Sequence, residues 1–353
     1  MFRKTLMTFV VVVLSLLLVP VIAAQDTGET EVQFIELAGP AATRDAELSS
    51  LVWYGDWLLL ITENPFIYAS DGDVGKFFAL EKDDILDYLA ADAPEPLEPR
   101  PVPLLGSDIV DAVGGFAVTF DGFEAAAVQT DLGYFAADRI YLTIEADTVN
   151  PDDPTMRAYV VSGTIQPGLD SIQLDMGRFI EIPRQTDFNN MSYESLLLMD
   201  DSLVVIYEAN GMEVNAEAVA YQVDLHTGDL STLPLANVPY RITDVTAMDA
   251  DGVFWAINYF FVGEDFLATD ADPIFEQYGM GASQAEFDGF ERLVAFQYTG
   301  DGIELVDNAP IQLLMTEDSN GRNWEGIARL GDTGFLIVTD RYPGTLLGFV
   351  PAD

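Results

Sequence analysis

Residues 323–340 read Asn323-Trp324-Glu325-Gly326-Ile327-Ala328-Arg329-Leu330-Gly331-Asp332-Thr333-Gly334-Phe335-Leu336-Ile337-Val338-Thr339-Asp340. Two short apolar runs flank a Gly/Asp turn, which predicts a β-hairpin. A hairpin doubles back, so its first and last residues lie at one end. Glu325 opens the first strand and Asp340 closes the second, which sets two carboxylates side by side at one mouth of the hairpin.

Outward from this stretch, the same pattern of acid, strand, turn, strand and polar closer recurs upstream. Glu47 is matched with Glu63, Glu124 with Glu145, Glu194 with Glu208, and Asp244 with Asn258. Further apolar runs follow each hairpin, as at 158–161 and 171–174, or 218–223 and 230–235. A repeated hairpin with outer strands predicts an all-β chain folded as a five-bladed β-propeller. A six-bladed ring is the alternative, and two β-sandwiches are a rival that leaves the acid repeat unexplained. The last repeat is one strand short, with only 345–350 after its hairpin. The alternating segment 31–37 can supply that strand, so the ring is expected to close by an N-terminal strand completing the last blade. Residues 84–91 read as a short helix, the proline-rich 93–103 as a loop, and 263–288 as an acidic insertion.

Composition bounds the rest. The 353 residues carry 59 acids against 15 Lys and Arg, a net charge of −44. Phosphate backbones need basic residues, so nucleic acid is excluded as a general partner. There is no cysteine, which excludes disulfides, thiolate metal sites and thiol nucleophiles. The one histidine, His226, sits in a turn-like His-Thr-Gly-Asp. A basic start, an apolar run from Met7 to Val19 and small residues near Ala23 and Ala24 read as a signal peptide over 1–24. Secretion of a single propeller domain over 31–353 is expected, with no membrane contact after cleavage and action as a monomer.

If each hairpin is the inner pair of a blade, Glu47, Glu124, Glu194, Asp244 and Glu325 ring the central channel. Carboxylates crowded in a partly dry tunnel repel one another unless protonated or bridged by a cation. An oxygen-only donor set favours a hard ion, Ca²⁺ first and Mg²⁺ second. Arg44, Arg241 and Arg322 each stand three residues before an opening acid. Their planar forks suit phosphate or carboxylate, so they are the expected binding residues for a small anionic substrate. Asp340 and Glu208 are the expected catalytic carboxylates.

Glu47-Leu48-Ser49-Ser50-Leu51, Tyr193-Glu194-Ser195-Leu196 and Trp324-Glu325-Gly326-Ile327-Ala328 with Thr339-Asp340 resemble the phytase-like, or esterase-like, β-propeller family. The resemblance runs from about Glu31 to the C-terminus and implies a secreted propeller with phosphoesterase activity. The chain departs from the calcium-dependent phytases in having five repeats and lacking their lysine-rich phosphate site. The expected function is a calcium-dependent hydrolase, a phosphoesterase first. The alternatives are a non-catalytic metal-stapled propeller that binds a partner, and a glycosidase built on paired carboxylates.

Overall fold

Period-two alternation of apolar residues builds strands that bury one or both faces, and these pair in sequence order as antiparallel meanders. The computed structural model describes residues 28–116, 118–130, 137–150, 153, 155–269, 271–287, 289–316 and 321–352. The expected signal peptide lies outside the described residues. The described residues are all-β apart from short helices such as Lys82–Ala90.

The first meander comprises Leu48–Tyr54, Trp57–Thr62, Gly75–Glu81 and Arg100–Leu105. The second comprises Val118–Gln129, Arg139–Thr148, Met156–Ile165 and Ile172–Ile182, and the third Ser195–Met199, Ser202–Ile206, Val219–Asp224 and Leu230–Pro234. The fourth runs Arg241–Val245, Val253–Phe260 and Phe290–Tyr298, with Ile303–Leu305 and Ile311–Leu313 both paired to Phe290–Tyr298. The last runs Trp324–Arg329, Gly334–Thr339 and Leu347–Pro351.

The expected closing strand is found over Gln33–Ile35, antiparallel to Leu347–Pro351, with Phe34 opposite Gly348. Just before it, Glu29–Thr30 adds in parallel to Ile311–Leu313 of the fourth meander. The N-terminal segment therefore stitches the fourth and last meanders together.

The first strands touch in a closed cycle, first on second, second on third, third on fourth, fourth on last, and last on first. The apolar core is divided the same way. One cluster joins Leu59 and Phe77 to Phe123 and Ile144, and the next joins Tyr141 and Val160 to Leu203. Others join Val204 to Phe254, Ile257 to Trp324 and Ile337, and Leu336 to Leu48 and Leu60. Sheets packed face to face around a common axis, with their first strands innermost, make a β-propeller.

One sequence expectation is corrected. Residues 100–105 are not loop but the outermost strand of the first meander, pairing antiparallel with Gly75–Glu81 and in parallel with Ile172 and Gln173. Pro101 and Pro103 mask its alternation, yet Val102 and Leu104 are buried between them. Proline is tolerated there because the parallel pairing begins only at Leu104, so neither Pro101 nor Pro103 is asked for a ladder N–H on that side. The insertion at 263–288 is partly ordered into the helix Pro273–Tyr278, and Ser283 from it holds the Glu29 carboxylate.

Bulges recur in the first strands of the first, second, fourth and last meanders. The pairing register shifts between Leu48 and Ser50, Phe123 and Ala126, Ile242 and Val245, and Trp324 and Gly326. A bulge inserts an unpaired residue and re-aims its side chain. Ser49, Glu124, Thr243 and Glu325 follow the last paired residue in each case. The equivalence is chemical as well, for Ser49 Oγ donates to Phe123 O at 2.6 Å and Thr243 Oγ1 donates to Trp324 O at 2.6 Å.

Candidate functional site

The inner strands leave a cavity of about 710 Å3 at the end where first strands begin and second strands finish. Glu47, Glu124, Glu194 and Glu325 line it, as do Glu63, Glu145 and Asp340. Glu47, Glu63 and Asp340 each bring one carboxylate oxygen within 4.8 Å of the other two.

Local structure aims these groups. Glu47 has φ 41 and ψ 71, the left-handed region, as the chain leaves a short 3₁₀ turn and enters the bulge. Non-glycine residues rarely stay there, and such strain clusters at functional sites. Glu47 accepts from Asn64 Nδ2 at 3.2 Å and pairs with Arg341 Nη2. Glu63 lies across Gly122, where a Cβ would collide with its Cγ. Asp340 accepts from Asn323 Nδ2 at 3.4 Å, and Glu325 accepts from Tyr259 Oη at 3.2 Å.

Burial raises every one of these carboxyls whose shift is resolved, and neighbouring acids add to the rise for the glutamates. Burial, then Asp340 and Asp121, push Glu63 up to about 9. Burial comes first for Glu124, Glu145, Glu194 and Glu325 too, which stand well above the usual carboxylate range. Arg241 partly offsets the rise in Glu145, Glu194 and Glu325. Glu124 Oε1, Glu145 Oε1, Glu194 Oε2 and Asp340 Oδ1 are buried without a hydrogen-bond partner. Unpaired buried oxygens in an oxygen-only cage fit a hard cation, with Glu47, Glu63 and Asp340 as the closest set of ligands.

The remaining residues singled out from the sequence lie elsewhere or are already engaged. Asp244 stands one residue past the bulge position, which Thr243 occupies, and a one-residue offset turns a side chain to the other face. Its carboxylate accepts from Val245 N at 2.8 Å, Ile327 N at 3.0 Å and Ser50 Oγ at 3.2 Å. It ties first strands together rather than reaching the ring of acids. Glu208 is fully buried, accepts from Ser192 N at 2.6 Å and pairs with Arg241 Nη1. With no exposure and both oxygens engaged, it is a counter-ion rather than a base facing substrate.

The three arginines do not converge. Arg241 lines the cavity but is held by Glu208, by Glu264 at 2.6 Å and by Glu194 at 3.5 Å. Arg322 is buried against Glu291 at 2.7 Å, with Leu314 O at 2.9 Å. Arg44 is exposed and lies over the Tyr342 ring, 4.6 Å from its centroid. The offset of three residues carried no geometric information, because Arg44 lies in a 3₁₀ turn, Arg241 in a first strand and Arg322 ahead of one.

Sequence reasoning passed over Glu63 and Glu145 as site residues, although both appear in the repeat as strand closers. It missed Arg341 and Tyr342 at the mouth, which follow Asp340 directly.

No protein-family model matches the chain. No curated protein matches it. Among solved structures it is similar to an exo-β-1,3-galactanase from Phanerochaete chrysosporium, at 7% identity and TM-score 0.48 over 92% of this chain and 65% of that one. It is similar to an exo-1,5-α-L-arabinanase from a bovine ruminal metagenomic library, at 10% identity and TM-score 0.44 over 89% and 95%. A soluble aldose sugar dehydrogenase from Escherichia coli matches at 12% identity and TM-score 0.41 over 92% and 100%. Likenesses this distant carry no residue role or substrate to this chain.

Proposed function

We propose that the chain is a five-bladed propeller whose central cavity is the divalent-cation centre of a hydrolase, with calcium the first candidate and magnesium the second. The observation that carries this reading is the set of buried, unpartnered carboxylate oxygens, one on Asp340 and three on Glu124, Glu145 and Glu194, in the cavity that holds the Glu47, Glu63 and Asp340 cluster. A bound calcium ion would supply charge neutralisation and polarise a substrate oxygen. Glu124, Glu145, Glu194 and Glu325 would hold the surrounding shell, while Arg241 limits repulsion within it. For an anionic ester, Arg341 at the mouth and Arg44 over the neighbouring Tyr342 ring would serve as recognition groups in place of Arg241 and Arg322. We further propose that residues 1–24 direct secretion and that residues 31–353 act as one domain and as a monomer.

A second reading is glycoside hydrolysis, favoured by one observation. Glu63 keeps its proton up to about 9, with Asp340 raising it, and their oxygens approach within 4.8 Å. A protonated carboxyl beside an ionisable one is the acid-and-nucleophile arrangement of retaining glycosidases, whose carboxyls stand about 5–5.5 Å apart.

The test is a chromogenic panel of phosphomonoester, phosphodiester, carboxylic ester and glycosides, run with calcium and then with chelator. Ester turnover lost with chelator supports the first reading, and chelator-insensitive glycoside turnover supports the second. Calcium binding without turnover leaves a metal-stapled binding propeller.

A further inference from the structure

Between the second and third meanders lies a separate cleft of about 400 Å3, lined by Arg139, Arg178, Tyr141, Asp175, Asp201 and His226 among others. Its basic groups are built in. Arg139 Nη2 donates to Ser162 Oγ at 2.5 Å, on the neighbouring strand. Arg178 Nη1 donates to Leu225 O at 3.2 Å, reaching across to the third meander. The Gly228 turn has φ 80, and a Cβ there would stand 2.6 Å from Arg178 Nη2, so the glycine makes room for the guanidinium. The Arg139 guanidinium carbon lies 6.0 Å from the centroid of the Tyr141 ring, and burial raises the Tyr141 phenol while Arg139 and Arg178 both lower it.

Among the described residues neither arginine has a carboxylate within ion-pair distance, in a chain with 59 acids and 15 Lys and Arg. One oxygen of each acid in the cleft has a partner, which leaves the other to a ligand hydroxyl. Asp175 accepts from Gly177 N at 3.0 Å, and Asp201 lies 3.7 Å from His226 Nε2. Two like charges turned toward one space repel until an anion joins them. Guanidinium forks match the planar edge of a carboxylate or the oxygens of a phosphate. Val160 and Ile180 add apolar wall, and the volume suits a ligand of sugar size.

We infer that this cleft binds a small polyhydroxylated anion, its acidic group between Arg139 and Arg178 and its hydroxyls toward Asp175 and Asp201. This site is independent of the central cavity and of any cation there.

The test is calorimetric titration of the metal-free, full chain at low salt with inorganic phosphate, gluconate, glucose 6-phosphate and glucose. Saturable binding of gluconate or glucose 6-phosphate, but not of glucose, is expected, and the stronger of the two identifies the acidic group. Arg178→Ala, an exposed position, should weaken that binding roughly tenfold or more, the worth of a charge-assisted hydrogen bond. Arg44→Ala, on the central mouth, should leave it unchanged. Absence of saturable heat for all of the anions overturns the inference, as does binding that survives Arg178→Ala intact or falls equally with Arg44→Ala.

Discussion

Glu47 is the clearest residue-level sign that the central cavity is built for more than stability. It holds φ 41, a backbone that glutamate rarely adopts, at a cost of about 1–3 kcal/mol. Asparagine tolerates the left-handed region better and carries no charge. Glu47→Asn should therefore keep or raise metal-free stability by up to about 1 kcal/mol while removing most of the calcium response. Denaturant melts with and without calcium measure both, and an unchanged calcium response would remove Glu47 from the ligand set. Glu208 is the opposite case. Its carboxylate is buried against Arg241, and unpairing a buried charge typically costs 3–5 kcal/mol. Glu264 still holds Arg241, so Glu208→Gln should cost about 3 kcal/mol. Any activity lost in it should return under conditions that restore folding, whereas a catalytic role would leave a folded but inactive protein.

At the scale of the element, the recurring bulge places Glu124 and Glu325. It demands a close approach at Gly326, where a Cβ would lie 2.9 Å from Ser50 Cα and 2.8 Å from Val338 Cγ1. The glycine lets the last first strand lie against the first, so Gly326→Ala should cost about 1–3 kcal/mol by overpacking. A thermal melt checks this, and a neutral result would mean that the inner strands yield freely. The N-terminal strand is the other structural element on which the ring depends. Removal of residues 28–35 uncovers the edge of Leu347–Pro351 and that of Ile311–Leu313 together. An exposed edge templates pairing with other chains, so the shortened protein should aggregate under conditions where the full chain stays dispersed, as light scattering would show.

For the whole molecule, the crowded carboxyls make stability depend on pH in a stated direction. The Glu63 carboxyl, ordinarily near 4.5, stands at about 9 in the folded chain. Between those values the unfolded chain gives up the proton and the folded chain keeps it, so this contribution is complete below 4.5 and falls as pH rises toward 9. The other raised carboxyls of the cavity act in the same direction. Metal-free protein should lose melting temperature as pH rises from mildly acidic to alkaline, and Glu63→Gln should flatten part of that slope. Calcium competes with protons for the same oxygens, so its stabilising effect should grow with pH. A hundredfold excess of calcium over its dissociation constant would add about 2.7 kcal/mol. A calcium titration with no heat and no melting shift at any pH would overturn the cation centre.

The amino-acid sequence by itself determined the repeated hairpins, the acids at their ends, the missing outer strand and the segment that supplies it. These are local properties, written in period-two alternation and in turn residues, and Glu325-Gly326-Ile327-Ala328 with Thr339-Asp340 already displays them. Tertiary structure alone decided which acids face one another. Asp244 and Glu325 look alike as strand openers, but the bulge counts residues from the paired strand, and Thr243 holds the position that Glu325 holds. Arg241 and Arg322 share a sequence offset, but Glu208, Glu264 and Glu291, distant along the chain, take up their charge. A side chain's direction follows from register and its availability from partners across the fold, and neither is a property of the residues beside it in sequence.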